Sequence, residues 1–192
     1  MIKEYYTFDN IISIENQNIL LEYVKKNDIN WGYMENITGE YEEKTENHIF
    51  PGKVHSSWDC KDPNINEIVN LIQLNISKEI NLKFIKNYRW KINWTQPLSR
   101  LYNSNYLIHR DRLEEHIVAV YYINDSTGDT NIYEGDDFSK PIKSVSPKMG
   151  RCFVFNGNLN HYGEFPIKND RFILNLNFVA TKKYFSKNSK IY

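Results

Sequence analysis

Phe84-Ile85-Lys86-Asn87-Tyr88-Arg89-Trp90-Lys91-Ile92-Asn93-Trp94 is where the chain changes period. Large apolar side chains at 84, 88, 90, 92 and 94 alternate with Ile85, Asn87, Arg89, Lys91 and Asn93. Successive side chains of an extended chain leave on opposite faces, so the pattern predicts a long, half-buried strand. Just upstream the period is helical. Asp62-Pro63 reads as an N-cap with proline in the first turn, and Ile65, Ile68, Val69, Ile72, Ile76 and Ile80 follow at offsets of three and four. This spacing predicts a helix over 63–79 with its apolar face meant for a sheet.

Working outward, Ile14, Leu20, Leu21 and Val24 give a second apolar stripe, and Lys25-Lys26 suit the negative end of a helix dipole, so a helix is expected over 13–27. From Trp31 to Trp58 no period holds. The polar run Gly39 to His48 reads as an exposed loop flanked by short strands. Downstream, strands are expected at 99–103, 106–109, 117–123, 129–133, 143–146, 151–155 and 171–179. Asn124 to Asp129 and Ser146 to Gly150 supply turn chemistry between them. The lysine-rich end, 181–192, reads as a basic, solvated tail. Helices first and then a run of strands argue α+β, and a double-sheet jelly roll (double-stranded β-helix) backed by the helices uses this many antiparallel strands most simply. One domain over 1–192 is expected, with a helical N-terminal region (1–83), a jelly-roll core (84–180) and the tail.

Composition narrows the function classes. Lysine plus arginine equals aspartate plus glutamate, 24 against 24, which weighs against a general nucleic-acid binder. No apolar run reaches the length of a membrane span, and the start has no basic region followed by an apolar one. Cys60 and Cys152 stand far apart with no CxxC and are expected to be reduced, in a soluble cytoplasmic protein.

Chemistry concentrates in Tyr106-Leu107-Ile108-His109-Arg110-Asp111. In extended chain His109 and Asp111 share one side. His161, in Gly157-Asn158-Leu159-Asn160-His161-Tyr162-Gly163, is the candidate third ligand. Two imidazoles and one carboxylate with open positions opposite them form a set that suits non-haem Fe(II). An isolated HxD occurs by accident in many proteins; the order of the downstream motifs is more specific. After the HxD come the apolar strand Val118 to Asn124, the turn Thr127-Gly128-Asp129-Thr130, the segment Pro147 to Phe155, then His161, and Arg171 ten residues later.

This order resembles the Fe(II)/2-oxoglutarate-dependent dioxygenase superfamily, and most of all its prolyl 4-hydroxylase-like branch. That branch has HxD, a YYLN-like strand, a GGxT turn, a PxxGrlvxF segment, a second histidine and a later Arg or Lys. Here these read His109-Arg110-Asp111, Tyr121-Tyr122-Ile123-Asn124, Gly128-Asp129-Thr130, Pro147 to Phe155, His161 and Arg171. Asp129 stands where the pattern has its second glycine. The resemblance covers 84–179, about half of the chain. It implies Fe(II) held by His109, Asp111 and His161, with 2-oxoglutarate as co-substrate and O2 as oxidant. It also implies hydroxylation of a C–H bond with release of succinate and CO2, on a prolyl residue of a peptide or on a small molecule. Arg171 would take the distal carboxylate of 2-oxoglutarate, helped by Tyr122, Tyr102 and Thr130. Asn175 and Asn177, on the same face of the last strand as Arg171, would bond a metal ligand.

Other residues have plainer readings. His116 is expected on a surface loop at the pocket mouth, Arg110 and Arg112 in solvent, and His48 and His55 away from any metal. The competing reading from another class is a jelly-roll module that binds a metal or small ligand without oxidising anything.

Overall fold

The computed structural model describes residues 5–35, 37, 51–97, 108–135 and 137–182. The chain opens on a short strand, β1 (Tyr6–Asp9), followed by helix α1 (Ile14–Val24). Ser13 caps α1 by accepting from the Asn16 N–H. The helix is shorter than its stripe suggests, and the stripe is rotated. Ile14 is exposed, whereas Gln17, Leu20, Tyr23 and Val24 are buried. Gln17 tolerates burial because its amide donates to Asn10 Oδ1 and to the Ile12 carbonyl.

Short strands β2 (Gly32–Met34) and β3 (Gly52–Ser56) flank the polar run, as its composition suggests. Helix α2 (Pro63–Glu79) has the expected bounds, with Asp62 accepting from the Asn64 N–H at its start. Next comes β4 (Leu82–Thr95), the long strand of the period change. The remaining strands are β5 (Ile117–Tyr122), β6 (Thr130–Tyr133), β7 (Lys143–Val145), β8 (Arg151–Asn156), β9 (Asn160–Gly163) and β10 (Arg171–Lys182). The expected strand 99–103, half of 106–109, the loop 39–48 and nearly all of the tail lie outside the described residues.

Two sheets result. The larger has the order β1-β8-β5-β10-β4-β3-β2 and the smaller β7-β6-β9, every pairing antiparallel. Alternation sorts the large sheet into two faces. Ile92, Ala119, Tyr121, Cys152, Val154, Leu174, Leu176 and Phe178 face the helices, where they meet Leu20, Ile65, Val69, Ile72 and Ile76. Fully burying an aliphatic side chain of this size contributes about 1.5–3 kcal/mol, so α2 alone fixes the back of the sheet firmly. On the other face Val118, Val120, Tyr122, Phe153, Phe155 and Ile173 meet Ile132 and Val145 of the small sheet. This second layer is the interior of the jelly roll, and the chemistry lies there.

Two local features set the shape. The pairing of β10 with β4 slips at Asn177/Phe178 and at Val179/Ala180, where β4 carries the extra residues Tyr88 and Ile85. Gly128 has φ of +89°, and a Cβ there would meet the Glu164 carbonyl. The turn before β6 therefore needs glycine at 128 only. Asp129 fits the next position, its N–H donating to Glu164 Oε2 at 3.2 Å and its carbonyl accepting from the Glu164 N–H at 2.8 Å.

Candidate functional site

His109 and His161 are tied to each other through the backbone. The His109 N–H donates to the His161 carbonyl (3.0 Å) and the His161 N–H to the His109 carbonyl (2.9 Å), an antiparallel bridge beside β9. The two rings face one another with centroids 4.6 Å apart. Asp111 enters from the same side: its Oδ1 is 3.8 Å from His109 Nε2 and its Oδ2 3.8 Å from His161 Nε2. One potential ligand atom from each of the three lies within 4.8 Å of the others, so the triad could hold a metal ion.

The surroundings prepare these groups for that task. His161 Nδ1 donates to the Leu159 carbonyl at 3.2 Å, which leaves the Nε2 lone pair facing Asp111. Burial lowers the His161 pKa against the pull of Asp111, the direction that favours the neutral form a metal ligand needs. Burial alone would raise the Asp111 carboxyl. The His161 and His109 rings, with Lys91 and Arg89, outweigh it and hold the group well below the usual carboxylate range. Asp111 Oδ2 also accepts from Asn175 Nδ2 and Asn177 Nδ2, each at 3.1 Å, and Asn177 Nδ2 bonds Asn175 Oδ1 at 2.9 Å. β10 therefore orients the carboxylate from behind.

Further along the interior face of β10 stands Arg171, 2 % exposed. Its Nη2 donates to Thr130 Oγ1 at 2.8 Å, and its guanidinium lies 5.7 Å from the Tyr122 ring centre. The Tyr122 hydroxyl sits between Thr130 Oγ1 (2.8 Å) and the Val145 carbonyl (3.1 Å), and burial pushes its pKa up to about 12. Gly163 makes room for the guanidinium; a Cβ there would lie 3.1 Å from both terminal nitrogens. Among the described residues no carboxylate reaches ion-pair distance of Arg171, and its Nε is buried without a partner. A buried guanidinium in that state calls for an anionic ligand. Triad and arginine line one cavity, together with Thr130, Gly163, Ile173 and Asn175.

Two cavity residues escaped the reading of the sequence: Lys91 and Asn93, 7 % and 6 % exposed. They alternate with Trp90 and Ile92 and so read as the wet face of a half-buried strand. Both faces of β4 are buried here. β4 pairs with β10 in the register Asn175↔Lys91 and Ile173↔Asn93, so whatever face holds Asn175 must hold Lys91. That pairing was the signal that could have found them. Lys91 Nζ donates to the Ile37 carbonyl at 2.6 Å, and burial pushes its pKa down to about 8 despite Asp111.

Other expectations meet different outcomes. His116 is not on an exposed loop. It is 3 % exposed, its Nδ1 is 2.7 Å from the Glu114 carbonyl, and its ring packs against Gly157, where no Cβ would fit. The charged run misled because His116 is the residue that enters β5. Arg112 is not merely solvated: its guanidinium lies 4.2 Å from the Tyr88 ring centre and pairs with Glu114 at 3.2 Å. Arg110 bonds Asn160 Oδ1. His55 is buried behind the sheet, 2.8 Å from the Tyr23 hydroxyl. Both cysteines are free. Tyr102 and His48 lie outside the described residues.

No family model and no curated protein matches the sequence. Solved structures match the fold. A prolyl 4-hydroxylase of Pseudomonas putida superposes with a TM-score of 0.65 at 16 % identity, over 91 % of this chain and 91 % of that one. A prolyl hydroxylase solved with a hypoxia-inducible-factor peptide fragment, from Trichoplax adhaerens, gives 0.65 at 12 % identity, over 91 % and 83 %. The non-haem α-ketoglutarate-dependent epimerase SnoN of nogalamycin biosynthesis gives 0.61 at 7 % identity, over 93 % and 78 %. The chain thus has the double-stranded β-helix fold of the 2-oxoglutarate- and Fe(II)-dependent oxygenases, in the form that prolyl 4-hydroxylases share.

Proposed function

We propose that the protein is an Fe(II)- and 2-oxoglutarate-dependent oxygenase that hydroxylates a C–H bond of a peptide, such as a prolyl residue, or of a small molecule. The observation that carries this reading is one cavity lined by a two-histidine, one-carboxylate triad and by a buried arginine that has no ion-pair partner among the described residues. The donor set fits Fe(II), and the arginine fits the far carboxylate of a five-carbon diacid. When bound, iron and 2-oxoglutarate supply the oxidative decarboxylation of the co-substrate and the oxidation of the substrate C–H bond, with O2 as oxidant.

The chain's own residues do the rest. His109, Asp111 and His161 would hold the metal. Asn175 and Asn177 fix the Asp111 carboxylate so that it does not swing. Arg171, steadied by Thr130 and by the Tyr122 ring, binds and orients the co-substrate. Val120, Ile173 and Ile37 supply the apolar part of the cavity wall. The two free thiols fit the reducing interior of a cell.

The test is an anaerobic titration of metal-free protein with Fe(II) and then 2-oxoglutarate, watching for the visible metal-to-ligand charge-transfer band. The band is expected only with both components present. Arg171→Ala should weaken 2-oxoglutarate by roughly a hundredfold, the usual cost of truncating one partner of a buried charge pair. His161→Ala should abolish the band. Folded, iron-loaded protein that never develops it would leave a jelly-roll module that binds without oxidising.

A further inference from the structure

The cavity holds a cation that metal and co-substrate do not require: Lys91 lines it, and Arg89, outside the lining, reaches Asp111 from beside it. β4 presents Arg89 and Lys91 at successive inward positions, opposite Asn177 and Asn175 of β10. Both therefore stand at the level of Asp111, while Arg171, paired with Thr95, stands at the far end of the same strand pair. Lys91 is buried and its ammonium has three N–H groups. One goes to the Ile37 carbonyl, and among the described residues no carboxylate comes within ion-pair distance. Arg89, at the more open end, reaches Asp111 Oδ1 at 3.5 Å, and its Nε is buried without a partner.

In the reading proposed above, Asp111 is committed to the metal. One carboxylate of 2-oxoglutarate is committed to the metal as well, and the other to Arg171. Among the described residues that leaves no further carboxylate for Lys91, on which Asp111 acts only from beyond ion-pair distance, or for Arg89. A buried cation without a counter-ion is costly, and one that lines a cavity is most simply repaid by a ligand. A plain hydroxylase of neutral groups needs nothing there; Met or Leu would fill the space at lower cost. No helix N-terminus or run of backbone N–H groups among the described residues converges on this spot, as larger phosphate groups commonly require. One ammonium beside one guanidinium suits a carboxylate.

We propose that the substrate carries a carboxylate, which docks on Lys91 with Arg89 at its outer edge and so presents a neighbouring C–H bond to the metal. This rests on the oxygenase reading and names the substrate class of that same cavity. Lys91 and Arg89 act as specificity residues: they touch the substrate, not the co-substrate.

The test uses the full chain loaded anaerobically with Fe(II) and 2-oxoglutarate. The probes are the free L-amino acids and short peptides, each supplied both as the acid and as the C-terminal amide. Binding is read from the shift of the charge-transfer band, and stimulation of succinate release in air is a second readout. Acids are expected to bind at least about tenfold better than their amides, a loss typical of a removed buried ion pair. Lys91→Met should erase that preference, and Lys91→Arg should restore much of it. Arg89→Gln, at the half-exposed end, should reduce it by a smaller factor. Acids and amides that bind alike, or no acid that shifts the band, overturn the proposal while the oxygenase reading stands. So does a Lys91→Met protein whose loss falls on 2-oxoglutarate, since that would place Lys91 against the co-substrate. If no band forms at all, both readings fail together.

Discussion

Asp111 is held by four kinds of neighbour at once: two histidines, two asparagine amides, a lysine and an arginine. The asparagines matter most for geometry, because their N–H groups fix which oxygen is free to turn toward a metal. Asn177→Ala should lower Fe(II) affinity about ten- to a hundredfold, the usual effect of removing a group that orients a ligand, measured by metal titration in the presence of 2-oxoglutarate. Lys91 makes the opposite point, that a charge is buried against stability. Its pKa drops from an ordinary 10.5 to about 8 because burial disfavours the charge. Between those values the unfolded chain keeps a proton that the folded chain has released, so the Lys91 contribution to stability improves as pH rises through that window. Below it, the buried charge is a standing cost. Metal-free Lys91→Met protein should therefore be more stable than the parent at pH 7, by about 1–3 kcal/mol, with the advantage shrinking above pH 8. Denaturant melts of both proteins across that range check the sign; a variant less stable at pH 7 would refute it.

At the scale of elements, β10 and β4 join the two roles of the molecule. Their outer residues pack on α2 and their inner residues line the cavity. Ile72→Ala, on the buried face of α2, should cost about 2–5 kcal/mol in urea unfolding yet leave 2-oxoglutarate affinity unchanged in the protein that remains folded. A changed affinity would mean that the helix layer tunes the site. The same two strands explain what was legible in the sequence. Helix α2 and the alternation of β4, β5, β8 and β10 are long and periodic, so hydrophobic patterning reveals them. That His109, Asp111, His161 and Arg171 would meet in one cavity was legible from the order of the motifs. β1 and β9 were not, since four residues hold too little pattern, and the Asn-rich stretch before His161 reads as turn. Lys91 and Asn93 were missed for a different reason. Polarity at alternate positions signals solvent or a polar cavity equally, and only strand pairing tells them apart. His116 was misplaced by the charges that precede it.

Across the whole molecule, the large sheet separates a dry layer facing the helices from a polar interior facing the small sheet. The two sheets meet around apolar residues of β5, β8 and β10, and at the metal triad the chain is joined to β9 by the pair of backbone hydrogen bonds between His109 and His161. An ion held by those two side chains would act as a cross-link between distant stretches of the chain. It would withdraw loop-closure entropy from the unfolded ensemble, a contribution on the order of 3–5 kcal/mol for bridges of this span. Metal alone, without co-substrate, should then raise the melting temperature. It should also slow hydrogen–deuterium exchange at the His109 and His161 amides more than at those of α2. On this view the iron would be a clasp as well as a reagent, and chelation would unfasten the mouth of the barrel as it removes the reagent.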